Sequence, residues 1–163
     1  MNPNNHNPAL MTKPVIAAWL LSNRRFYNLI GKFTEEEIYT EIAPGKNTGI
    51  YILGHLTSIS DSMLPLLNFE EKLFPQLDPL FVAAPDKSGQ KFPLFHDLKE
   101  YWNTVNTTLL HHIEQMASEA WLEKHEAVSL EDFKKDPSRN KLSILISRTN
   151  HQNYHLGQLT LLL

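Results

Sequence analysis

Ile52, Leu56, Ile59, Met63 and Leu66 recur at intervals of three and four. That spacing lines them along one face of an α-helix and cannot line one face of a strand. Three other stretches keep the same period, and no stretch alternates as a half-buried strand would. The chain therefore reads as all-α, with four helices of about 20–25 residues.

The expected first helix runs from about Thr12 to Lys32. Thr12 serves as cap, Pro14 sits in the first turn and Gly31 stands at the end. Residues 34–46 form a polar connector, with a helical turn at Glu35–Ile38 and a close at Pro44 and Gly45. The second helix spans about Asn47 to Asn68. Pro65 removes a backbone donor inside it, so a kink is expected there. The third spans about His96 to Trp121 and buries Leu98, Trp102, Val105, Leu109, Ile113 and Met116. Residues 122–139 are charged and irregular, with Ser129 or the Asp136-Pro137-Ser138 turn leading to a fourth helix from about Asn140 to Leu163.

Residues 71–95 hold Pro75, Pro79, Pro85 and Pro93. That is far more chain than an antiparallel helix hairpin needs. A crossover running the length of a bundle would use it. The expectation is a four-helix bundle in up-down-down-up order, with the long crossover between helices two and three. It forms a single domain over 1–163, with 1–9 as a flexible tail in which His6 has no role.

The chain contains no cysteine. Disulfides, thiol catalysis and thiolate metal sites are thereby removed, leaving imidazole and carboxylate as the strong ligands. A net charge of -3 and a pI near 6.2 argue against a nucleic-acid surface, which is normally basic. No apolar run reaches membrane-spanning length, and the N-terminal residues lack the pattern of a signal peptide. A cytoplasmic protein without nucleic-acid or membrane partners is the expectation.

Histidines interrupt these apolar faces. His151 and His155, four apart, lie about 40° from each other on the helical wheel, in the arc of Ile144 and Leu162. Spacing alone is weak evidence, because hydrogen-bonded core histidines satisfy it as well. His55 lies within the apolar stripe of the second helix, about 60° or less from Ile52, Ile59 and Leu66. If helices two and four are antiparallel neighbours, all three imidazoles fall at a similar height. Three convergent neutral imidazoles suit Zn or Ni foremost, with Fe, Cu or Mn compatible, and suit Mg and Ca poorly. Three protein ligands leave a coordination position open, as catalytic sites do. Gly54 and Gly157, beside His55 and His155, each cost a helix about 1 kcal/mol against alanine. Close approach of a neighbour, or room for a ligand, would offset that cost.

Gly54-His55-Leu56, together with Asn150-His151-x-x-x-His155-x-Gly157-Gln158-Leu159, resembles the DinB family across nearly the whole chain. The resemblance implies an up-down-down-up bundle, bacterial and often dimeric, with a divalent metal on His55, His151 and His155. Some relatives transfer low-molecular-weight thiols to electrophiles. Many members carry two adjacent histidines where this chain has Tyr154-His155, which leaves the triad intact but alters the surrounding pocket.

Two functions follow as expectations. One is a metal-dependent transferase or hydrolase of a small molecule, such as a low-molecular-weight thiol. The other is a non-catalytic metal-binding or stress-response protein with a structural or vestigial metal. A peptidase is disfavoured, because Gln152 replaces the glutamate of a His-Glu-x-x-His helix. Arg148, Gln158 and His112 are candidate substrate-binding or ligand-orienting residues, whereas Asp61 points off the His55 stripe. A homodimer is expected through an apolar excess at Trp19, Leu20, Leu21 and residues 161–163.

Overall fold

The computed structural model describes residues 7–163, and every regular element among them is helical. The elements are α1 (Ala9–Ile30), α2 (Glu35–Ile38), α3 (Gly49–Asp61), α4 (Met63–Leu66), α5 (Asp78–Phe81), α6 (Phe95–Gln115), α7 (Leu130–Lys135) and α8 (Lys141–Leu159). Short 3₁₀ turns lie at Pro75–Leu77, Ala120–Leu122 and Thr160–Leu162.

Side-chain contacts fix the directions of the long helices. Ser22 of α1 donates to Asn153 of α8 at 2.8 Å, while Val15 and Ala18 share a hollow with Ile146 and Asn150. Numbers rise together along this pair, so α1 and α8 run parallel. Gly49, at the start of α3, abuts Leu162 after α8. At the other end, the Leu66 carbonyl accepts from Glu126 N–H, and the Glu123 carbonyl accepts from Lys141 N–H. α3 and α8 are therefore antiparallel. Phe26 packs on Trp102 with ring centroids 4.3 Å apart, and Trp19 shares a hollow with Leu110, so α1 and α6 are also antiparallel.

Several boundaries differ from the sequence expectation. α1 begins at Ala9 rather than near Thr12, which is buried within the helix, and Pro14 lies inside it. The expected tail over 1–9 therefore overlaps α1 at Ala9; residues 1–6, with His6, fall outside the described residues. The second long helix breaks at Ser62, between α3 and α4. Pro65 is the physical reason, since it cannot donate to the Asp61 carbonyl. The third helix stops at Gln115, and Trp121 is buried from a separate 3₁₀ turn. The short α2 forms as expected, with Thr34 and Glu37 in a reciprocal capping box. Ser129 caps a helix of its own, α7, and Asn140 caps α8.

Two packed clusters fill the interior. One gathers Phe26, Ile52, Leu56, Phe81, Trp102 and Leu159; the other gathers Trp19, Met63, Leu109, Trp121 and Leu145. Trp19 is only 1 % exposed, so it belongs to the core and not to an outer apolar surplus. Leu20, Leu21, Leu161 and Leu163 do remain exposed.

The connector between α4 and α6 is held against α3 by polar contacts. Asp61, fully buried, accepts from the backbone N–H groups of Leu73 and Phe74. Ser58 donates to Asp78, and the Tyr51 hydroxyl donates to the Phe81 and Ala84 carbonyls. Asp61 thus satisfies two otherwise unpaired donors. These ties bring Phe81 over the middle of α3, where the histidines meet.

Candidate metal centre

His55 stands midway along α3, and His151 and His155 stand one turn apart on α8. Antiparallel packing brings the three rings together. His55 Nε2 lies 3.3 Å from His151 Nε2, and His155 Nε2 lies 3.0 Å from the same atom. Each ring offers one nitrogen to the group, and these nitrogens all lie within 4.8 Å of one another. Metal–nitrogen bonds of about 2.0–2.1 Å in tetrahedral geometry put neighbouring ligand nitrogens about 3.3–3.4 Å apart. The two contacts to His151 are close to that length.

The remaining ring nitrogens determine the tautomers. His55 Nδ1 is 2.8 Å from the Phe81 carbonyl oxygen, which can only accept, so Nδ1 carries the proton. Gln158 Oε1 is 2.7 Å from His155 Nδ1, and the Gln158 amide nitrogen donates to the Tyr154 hydroxyl at 3.1 Å. The amide oxygen therefore faces His155, whose Nδ1–H donates to it. In neutral His55 and His155 the Nε2 atoms must then carry lone pairs, and both point at His151 Nε2. His151 Nδ1 is buried without a partner.

Electrostatics favour the neutral forms of His151 and His155. Burial, reinforced by His155, His55 and Arg148, lowers the His151 pKa from 6.5 to about 4. His155 is also lowered, chiefly by burial, with the Gln158 hydrogen bond opposing and His55 adding to the shift. Inward lone pairs on neutral His55 and His155, converging on His151, form a set of donors to a cation. Zn, Ni and similar divalent ions fit this imidazole set.

Gly54 explains how His55 acquires its partner. A Cβ at Gly54 would overlap the Phe81 ring, so glycine permits the approach that places the Phe81 carbonyl at His55. The neighbour is the connector, not another long helix. Gly157 differs, since a Cβ there would meet nothing within 4 Å.

The other candidates separate. Gln158 lies at the cluster and orients His155. Arg148 is half-buried one turn before His151, near enough for its charge to act on that ring. His112 is elsewhere: it stacks on Phe69 at 4.8 Å between ring centroids and contacts Glu70 at 3.0 Å. Its place on the apolar face of α6 reflects packing beyond the end of α4. The Phe81 carbonyl was not predictable from the sequence, because backbone oxygens carry no residue signature. Gly54 beside His55 was the available hint.

A helical bundle in which three imidazoles from two antiparallel helices converge defines a class of metal-ready bundle proteins. The chain belongs to the DinB superfamily, whose sequence pattern matches residues 18–159. Its fold is also similar to the crystal structure of a conserved protein from Enterococcus faecalis, with a TM-score of 0.63 at 16 % identity, covering 91 % of this chain and 92 % of that one. No curated protein matches it. Among the described residues, no helix is long and apolar enough to cross a membrane.

Proposed function

We propose that the protein is a divalent-metal-dependent enzyme, a transferase or hydrolase acting on a small molecule, with a low-molecular-weight thiol as the leading substrate type. The observation that carries this reading is the convergence of three Nε2 atoms, two with inward lone pairs fixed by Phe81 and Gln158. His55, His151 and His155 would hold Zn or Ni. Such an ion supplies Lewis acidity, which draws water or a thiol toward its anionic, nucleophilic form at neutral pH.

An open coordination position is supported by the arrangement around the cluster. Among the described residues, no fourth histidine or carboxylate joins the group. Asp61 is committed to Leu73 and Phe74, and His112 to Glu70. The protein's lack of cysteine means that a reacting thiol must come from the small molecule. Leu56 and Phe81, both buried, lie beside His55. A homodimer in the cytoplasm completes the proposal, with Leu20, Leu21, Leu161 and Leu163 as the exposed apolar residues available for the contact.

The test is a panel of small thiols and electrophiles offered to protein reconstituted with zinc or nickel. Turnover that requires the metal and disappears in His155→Ala supports the enzyme. Tightly held metal that neither turns over nor exchanges its outer ligand favours a structural metal.

A further inference from the structure

Arg148 differs from the cations that the fold buries beside a carboxylate. Lys141, almost fully buried, is paired with Glu123 at 2.9 Å, and Lys72 is paired with Asp78 at 2.5 Å. Arg148 makes no ion pair and no side-chain hydrogen bond among these residues, and its Nε atom is buried without an acceptor. Burial alone depresses its pKa. A guanidinium removed from water without an anion is unfavourable, and a fold that keeps one commonly supplies it with an anion from outside.

The same face of α8 holds a surplus of donors. Gln152 is 3 % exposed and its amide nitrogen lacks an acceptor, and Nδ1 of His151 has no partner. Arg148 and Gln152, one turn apart on the same face of α8, thus offer N–H groups that the protein does not satisfy, with or without a metal. When a metal takes the lone pair of His151 Nε2, the His151 hydrogen resides on Nδ1 and adds a further donor. The complementary ligand is rich in acceptors and negatively charged.

We propose that Arg148 binds a carboxylate of the substrate whose reacting atom is presented to the His55, His151 and His155 cluster. Arginine matches a carboxylate in a planar, two-oxygen fashion that a neutral acceptor cannot reproduce. Arg148 and His151 are separated by roughly 4.5 Å of helix rise. The carboxylate should therefore stand only a few bonds from the reacting atom, as in a short mercapto acid. The inference rests on the metal-centre reading for the position of the reacting atom, but the anion site itself does not depend on a metal.

The probes are 3-mercaptopropionate and its neutral counterpart 2-mercaptoethanol. Binding is read on zinc-loaded protein by calorimetry and, on both zinc-loaded and metal-free protein, by the arginine Nε–H resonances. Arg24, Arg25, Arg139 and Arg148 are the chain's arginines, so Arg148→Gln assigns the signal by its loss. The expected result is binding of 3-mercaptopropionate about tenfold or more tighter than 2-mercaptoethanol, the gain typical of a hydrogen bond to a charged group. That preference should vanish in Arg148→Gln and survive only in part in Arg148→Lys, both checked for unchanged helicity. The Arg148 resonance should also move saturably with 3-mercaptopropionate in metal-free protein. Equal affinities in the wild type, a preference retained in Arg148→Gln, or an unmoved Arg148 resonance overturns the proposal. A moving resonance in protein that takes up no zinc overturns the metal-centre reading alone.

Discussion

Phe81 occupies the space that any side chain on Gly54 would need, and its carbonyl oxygen accepts the Nδ1 proton of the adjacent His55 at 2.8 Å. One contact thus ties a segment of the long connector to the tautomer of a candidate ligand. Gly54→Ala should push Phe81 away. The helix gains about 1 kcal/mol in propensity, whereas overpacking costs about 1–3 kcal/mol. The expected net effect is a lower denaturation midpoint together with weaker metal binding, read by chemical denaturation and metal titration. Unchanged affinity would separate Phe81 from the site.

Gln158 orients His155 as Phe81 orients His55. Loss of such a partner typically weakens a metal site by about 10–100-fold. Gln158→Ala should fall in that range, whereas Gln158→Glu, which keeps an acceptor oxygen, should retain most of the affinity. Competition titration against a chromogenic chelator measures both. Equal affinity in Gln158→Ala and wild type would remove Gln158 from the site.

Acidification should destabilise the metal-free protein in a defined window. Unfolded histidine takes up a proton near pH 6.5, whereas folded His151 does so only near pH 4. Between those values the unfolded state binds more protons, so stability is full above about 6.5 and falls as pH drops toward 4. The lowered pKa of His155 acts in the same direction. In His151→Asn the decline across this window should be shallower, as read by urea midpoints from pH 7 to 4. An equally steep decline in the variant would locate the effect elsewhere.

The apolar stripes of the long helices were legible because burial imposes their period on the sequence, and His55, His151 and His155 were legible because they interrupt those stripes. What surrounds them was less so. The segment at residues 71–95 has no period, and its prolines and charges do not reveal that Asp61, Ser58 and Tyr51 hold it to α3. Phe81 therefore could not be foreseen as a hydrogen-bond partner. Helical position placed His112 on a buried face, but the register of α6 against the end of α4 decides what it meets. The broad apolar arc of α1 gives Trp19 no sequence mark that separates it from Leu20 and Leu21, and only packing shows that it is core.

Leu20 and Leu21 on α1, and Leu161 and Leu163 after α8, stay exposed in the single chain. If they cover one another in a homodimer, light scattering at micromolar concentration should return twice 18.8 kDa. Leu21→Glu should shift the population toward the monomer without loss of helicity. A species of 18.8 kDa alone contradicts the dimer.

Metal content of wild type and His151→Ala, purified side by side, tests the central claim most directly. The wild type should carry about one divalent transition-metal ion per chain after zinc or nickel loading and dialysis. His151 is the imidazole that both others face, so the substitution should abolish retention. The far-UV circular dichroism should remain that of a helical bundle, because the apolar clusters carry the fold. Equal metal in the two proteins, or none in either, would contradict the assignment of His55, His151 and His155 as a metal centre.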